Sequence, residues 1–147
     1  MLTFKKCSKQ DLDTLYKIEE QMKSCPLYCT AADKSGFAKF MKEEIYFLIL
    51  KDNEIAGYCS YKIKNKDLGE ISGMAILEKF RHQGLGAAAL EMMLKKLKNY
   101  KQIMLVTHPQ NNNSLRLYLK FGFVIKEWKD NYFGNQPRLI LYKENKQ

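Results

Sequence analysis

Six consecutive residues, Arg81-His82-Gln83-Gly84-Leu85-Gly86, are of the types that grip an anion. They open a predicted helix from Gly84 to Asn99, in which Leu90, Met93, Leu94 and Leu97 recur at helical spacing. Two glycines at a helix start let a ligand approach bare backbone. The first amides of a helix have no partner within it, and the helix dipole puts its positive end there. A phosphate at that place gains about 0.3–2 kcal/mol from the dipole, before any direct hydrogen bond. Arg81 adds a full charge, and His82 and Gln83 add further donors. An ordinary structural helix start has the same residues, and spacing leaves that alternative open.

Other anion motifs fit less well. A P-loop requires Lys and then Ser or Thr after its second glycine, and neither follows here. The dinucleotide fingerprint is met only in its relaxed form, by Gly84, Gly86 and Ala89. The strands before it read as an antiparallel meander, however, and no acidic residue closes the next strand. Cys7, Cys25, Cys29 and Cys59 build no metal site, because Cys25 and Cys29 have no second pair and His82 and His108 lie far off. Free thiols are expected, with Cys59 packed in an apolar run.

The elements that position these residues follow from hydrophobic period. Thr3 to Lys6 reads as a strand. Ser8 and Asp11 form a variant capping box before a helix from Lys9 to Lys23, which Cys25-Pro26 terminates. A shorter helix runs from Asp33 to Glu43. Strands are predicted at Ile45–Leu50, Glu54–Lys64 and Leu68–Leu77, joined by turns at Asp52-Asn53 and Asn65-Lys66-Asp67. After the Gly84 helix come a strand Ile103–Thr107, a helix Asn113–Phe121 and strands Phe123–Trp128 and Arg138–Tyr142.

The chain has 147 residues, 46% hydrophobic and 28% charged, which fits one globular domain over residues 1–147. Its net charge is +9, carried by 22 Lys but only Arg81, Arg116 and Arg138. Arg is the residue that reads base edges and forks onto phosphate, and the Lys are scattered, so a solvated surface is expected rather than a nucleic-acid partner. No apolar stretch approaches the roughly 20 residues of a membrane span, so no membrane partner is expected. Met1 to Gln10 has no apolar leader core, so a cytoplasmic location is the expectation.

With this order of elements, two motifs resemble the GNAT superfamily of acetyl-CoA-dependent N-acetyltransferases. Arg81, Gly84 and Gly86 match its [RQ]-x-x-G-x-[GA], and Asn111, Ser114, Leu115, Leu117, Tyr118, Gly122 and Phe123 match its second signature. The resemblance implies an α+β (α/β) fold, a mixed central sheet of about seven strands flanked by about four helices. It implies acetyl-CoA as the acyl donor, no metal, and an amine acceptor, small molecule or peptide; dimers are common among such proteins.

The resemblance also implies roles. Coenzyme A would meet Arg81, His82, Gln83, Gly84, Leu85, Gly86 and Ala87 through its pyrophosphate. Its pantetheine arm would run along Met74, Ala75 and Ile76. Gly73 marks a bulge or close backbone approach, which would free the Met74 amide to polarise the thioester carbonyl. Tyr118 would protonate the departing thiolate or simply fill the core, and Asn111 would bind pantetheine or cap its helix. Glu70 is aligned with the base of the histone-acetyltransferase branch, although a solvated strand-end carboxylate has the same spacing. Val106 stands where the ribosomal-protein branch has a glutamate, and His108 is an alternative base. A partly apolar acceptor groove is expected from Tyr28, Phe37, Tyr132 and Phe133, within the segments Gln21–Lys42 and Asp130–Arg138. An acidic patch near Glu19, Glu20, Glu43 and Glu44 is the place for a cationic acceptor. The expected activity is direct transfer to an amine in a ternary complex; the alternative is a domain that binds acyl-CoA without chemistry.

Overall fold

The computed structural model describes residues 1–23, 33–133 and 135–146; Cys25, Pro26, Tyr28 and Cys29, and the Phe133 side chain, lie outside the described part. The elements are β1 (Leu2–Lys6), α1 (Leu12–Met22), α2 (Lys34–Glu43), β2 (Ile45–Lys51), β3 (Glu54–Asn65), β4 (Leu68–Ile76), α3 (Leu85–Lys96), β5 (Gln102–Thr107), α4 (Asn112–Lys120), β6 (Val124–Phe133) and β7 (Gln136–Glu144). Short 3-10 turns, Lys9–Asp11 and Glu78–Phe80, lead into α1 and follow β4. The capping box forms as expected: the Ser8 amide donates to the Asp11 carboxylate at 2.9 Å. The first hairpin turns on Asp52 and Asn53, both with positive φ, the geometry that matches strand twist.

The seven strands form one sheet in the order β1-β2-β3-β4-β5-β7-β6. Every pairing is antiparallel except β4 with β5. Alternation along the strands feeds two cores, one on each face. Tyr46, Leu48, Tyr58 and Ala75 point toward α1 and α2, where they meet Leu15, Ile18, Met22 and Phe37. Phe47, Ile49, Ile71, Ile103 and Leu105 point the other way and pack with Leu85, Ala89, Leu90 and Met93 of α3 and with Leu97 just past its end.

Two features of β4 shape the site. Opposite β3, Ser60 pairs with Gly73 and Tyr61 with Ile71, so Ser72 is an extra residue: a bulge at the expected place. Opposite β5, pairing runs only from Leu68–Gln102 to Ile71–Leu105. Beyond that rung β5 continues to Thr107 against β7, while β4 continues to Ile76 against β3. The two parallel strands therefore part, and among the described residues one edge of β4 from Ser72 onward has no strand beside it.

Some boundaries differ from the sequence reading. β6 runs to Phe133 rather than Trp128, and β7 begins at Gln136. Most of the expected acceptor segment Asp130–Arg138 is thus a hairpin. Its polar residues hide the strand period because β6 is the sheet edge, exposed along residues 124–132. Phe37 is fully buried among Tyr16, Tyr46 and Tyr58, so it belongs to the core and not to a groove. Tyr132 is exposed.

Candidate active site

A cleft of about 470 Å³ opens where β4 and β5 part, with the start of α3 at one end and α4 along one side. Its walls include Met74, Ala75, Ile76, Arg81, His82, Gly84, Leu85, Gly86, Asn111 and Tyr118, all singled out from sequence. Glu70, Gln83 and Ala87 do not line it.

The turn into α3 is built for backbone donors. His82 and Gly84 both have left-handed backbone, with φ of 64° and 79°. Left-handed geometry is unfavourable for the non-glycine His82, and strain of that kind persists where surrounding structure enforces it. The first hydrogen bond of the helix is Ala88 N–H to Gly84 C=O at 3.1 Å, so the amides of Leu85, Gly86 and Ala87 have no carbonyl within α3. A Cβ on Gly84 would meet nothing within 4 Å, so open space lies in front of this turn. Arg81 ties the turn to the end of β4, its Nε donating to the Ile76 carbonyl at 3.0 Å.

On the opposite wall, Tyr118 packs edge-on against Phe123, with ring centroids 6.1 Å apart. Asn111 is the residue at which α4 begins, and its side chain makes no capping hydrogen bond. Its carbonyl accepts from Leu115 N–H instead, and Asn111 lines the cleft.

The candidate bases are placed differently from one another. Glu70 stands on β4 one residue before the cleft-lining Ile71, with Lys64 at 3.6 Å and Lys62 at 3.9 Å. His108 is buried in the cleft wall, and both ring nitrogens are engaged. The Gln110 amide donates to Nδ1 at 3.0 Å. That leaves the ring proton on Nε2, which lies 3.1 Å from the Gln136 side-chain oxygen. Val106 contributes apolar wall, as its type dictates.

Two further charged residues line the cleft: Arg138, whose role was not read from sequence, and Glu19, expected only as part of an acidic patch. Arg138 on β7 is 2% exposed, and one guanidinium nitrogen donates to the Pro137 carbonyl at 2.8 Å. Glu19 on α1 is 4% exposed and accepts from the Tyr58 hydroxyl at 2.9 Å. The expected acidic patch is therefore divided: Glu20 and Glu43 face solvent, Glu19 faces inward, and half-buried Glu44 hydrogen-bonds the cleft-lining Ser72. A sequence signal existed: Glu19 falls four residues after Leu15 and three before Met22, on the helix face that is otherwise apolar.

Burial, with Asp11 nearby, pushes the Cys7 thiol up to about 11, and burial pushes Cys59 up to about 12. Both are therefore protonated and poorly nucleophilic at neutral pH. Among the described residues no group of three or more His, Cys, Asp or Glu could hold a metal ion, and no helix is long and apolar enough to cross a membrane.

A parallel strand pair that parts beside an amide-lined helix start, within one mixed seven-stranded sheet, defines the architecture. The model of the acetyltransferase (GNAT) family matches residues 12–123, and the chain belongs to that family. It is 29% identical over 140 residues to a Bacillus subtilis protein assigned as a [ribosomal protein bS18]-alanine N-acetyltransferase, covering 90% of this chain and 89% of that one. The crystal structure of the Escherichia coli ribosomal-protein-S18-alanine N-acetyltransferase superposes with a TM-score of 0.85 at 20% identity, over 100% of this chain and 96% of that one. A GNAT acetyltransferase from Elizabethkingia anophelis, with acetyl-CoA bound, gives a TM-score of 0.77 at 23% identity over 97% of each chain. The chain is thus an acetyl-CoA-dependent acyltransferase of the N-acetyltransferase type.

Proposed function

We propose that the chain moves the acetyl group of acetyl-CoA onto a primary amine by direct attack within a ternary complex. The observation that carries this is the parting of β4 from β5 after Ile71, with Tyr118 on the wall of the resulting cleft. The edge of β4 that no described strand covers, at Met74, Ala75 and Ile76, offers backbone groups to an amide-bearing arm, the Ile76 carbonyl being shared with Arg81. The turn from Arg81 to Ala87 suits a pyrophosphate, because the first amides of α3 have no carbonyl within the helix and stand at its positive end, with Gly84, Leu85 and Gly86 on the cleft wall.

In the reaction, the Met74 amide beside the Ser72 bulge donates to the developing oxyanion; a single donor of this kind is typically worth about 3–4 kcal/mol. Asn111 holds the thiol-bearing arm. Tyr118 gives its phenolic proton to the departing thiolate. Glu70 accepts the amine proton through water, since it stands just outside the cleft. The likeness to a protein named for acetylating alanine of ribosomal protein bS18 makes a peptide α-amine the first acceptor to try.

Thiol release from acetyl-CoA is the test, measured across peptide N-termini, lysine side chains, aminoglycosides and small amines. Tyr118→Phe is expected to lower kcat by roughly 10–10³-fold with an acceptor that turns over. Unchanged turnover removes Tyr118 as the acid. Coenzyme A binding with no thiol release from any acceptor overturns the transferase assignment in favour of a binding domain.

A further inference from the structure

We propose that Glu19 is the group on which the acceptor's ammonium docks, an inference that rests on the transfer reaction proposed above. Primary amines are protonated near neutral pH, with ordinary pKa values of about 8 for an α-amine and about 10 for a lysine. Such an acceptor enters as a cation, into a protein of net charge +9. The cleft wall holds Arg81 and Arg138, and among its described residues Glu19 is the single Asp or Glu. Glu19 is thus the acid of the wall itself; Glu44 reaches the cleft only through Ser72, and burial holds its carboxyl above the usual carboxylate range.

The setting of Glu19 is that of a held group. It projects from the apolar face of α1, between Leu15, Ile18 and Met22, where an aliphatic side chain would satisfy the packing. Carboxylates are almost never buried to this degree without a specific partner. Tyr58, from β3, supplies one: its hydroxyl donates to Oε1 at 2.9 Å. Burial first, and then the Glu19 charge, hold the Tyr58 phenol far above its ordinary pKa, so it remains a donor.

The same contact sets the location. Tyr58 pairs with Ala75 across the β3–β4 ladder, and its ring lies 3.2 Å from the position a Cβ would take on Gly73. Tyr58 thus anchors Glu19 beside Gly73 and Ala75, the neighbours of Met74, the proposed oxyanion donor. Docking on Glu19 brings the acceptor nitrogen to the stretch of β4 assigned to the thioester carbonyl. Removal of its proton is the later step.

The test is a calorimetric titration of the coenzyme A-saturated protein with trialanine amide and with its N-acetyl form, which differ in the terminal charge. The native protein is expected to prefer the free amine by about 10- to 150-fold, the range of a charge-assisted hydrogen bond. Glu19→Gln is expected to abolish that preference while coenzyme A binds as before. Tyr58→Phe keeps the ring and the carboxylate but removes the orienting O–H, so the preference shrinks several-fold. A native protein without the preference, or a Glu19→Gln protein that retains it, overturns the proposal. If Glu19→Gln fails to fold by circular dichroism, Glu19→Asp and Tyr58→Phe decide, and a preference unchanged in both overturns it. A preference present without acetyl transfer to any acceptor sinks the transferase assignment and leaves docking on Glu19 standing.

Discussion

The turn into α3 holds two glycines, Gly84 and Gly86, whose replacement by alanine should have opposite consequences. Gly84 has φ of 79°, and a Cβ there meets nothing within 4 Å. Gly84→Ala therefore suffers no clash, only left-handed strain of about 1–2 kcal/mol, partly offset because alanine restricts the unfolded chain. The net is about 1 kcal/mol, or a Tm lower by roughly 2–4 °C for a chain of this size. Gly84 lines the cleft, so an added methyl takes space there and the Kd for coenzyme A should rise about tenfold or more, as for one lost charged hydrogen bond. Gly86 lies inside the helix, outside the left-handed region, and a Cβ there sits 3.5 Å from Met74 Sδ and 3.7 Å from Leu117 Cδ2, ordinary contacts that pack it against two cleft-wall side chains. Gly86→Ala should leave the Kd within about threefold and hold or raise stability by up to ~1 kcal/mol, through helix propensity. Thermal unfolding and calorimetric titration with coenzyme A measure both. A Gly84→Ala protein with native Tm and Kd, or a Gly86→Ala protein that loses coenzyme A, refutes the assignment of the turn.

Three further outcomes are expected. Iodoacetamide at pH 8, read by peptide mass, should leave Cys59 unlabelled until the protein unfolds and label Cys7 slowly, because burial holds both thiols protonated; rapid native labelling of Cys59 contradicts its placement. The Ser8 amide, foremost, and Lys5 hold the Asp11 carboxyl below its usual range, so its stabilisation is present above about pH 4 and is lost as pH falls through the lowered value. Asp11→Asn should accordingly cost about 0.5–2 kcal/mol at neutral pH and converge with native in acid, and urea titrations showing a pH-independent gap would refute the capping role. For Glu70→Gln, the acid limb of the pH–rate profile should move, and an unmoved profile removes Glu70 from the reaction.

Most elements were legible in the chain because their causes are local. Alternation marks β3, i to i+3 and i+4 spacing marks α3, and Asp52-Asn53 marks the hairpin turn, so neighbours in sequence suffice. β6 was read short because an edge strand exposed along both faces carries no alternation to detect. The two family motifs made the turn into α3 legible for a related reason: the amides of Leu85, Gly86 and Ala87, which have no carbonyl within the helix, are consecutive in the chain.

What the chain alone determined, then, is the single α+β domain, the order of its elements, the amide-lined turn at Gly84 and the presence of Asn111 and Tyr118 on the helix after β5. Tertiary structure decided which side chains share the cleft. Only the register shows that β4 and β5 part after Ile71, which leaves Glu70 behind the opening and Ser72 at its edge. Only packing shows that Glu19 turns inward to Tyr58, 39 residues away, and that Gln110 and Gln136 occupy both nitrogens of His108. Periodicity assigns a residue to a face of its own helix or strand, but what that face meets depends on which strands the sheet sets side by side.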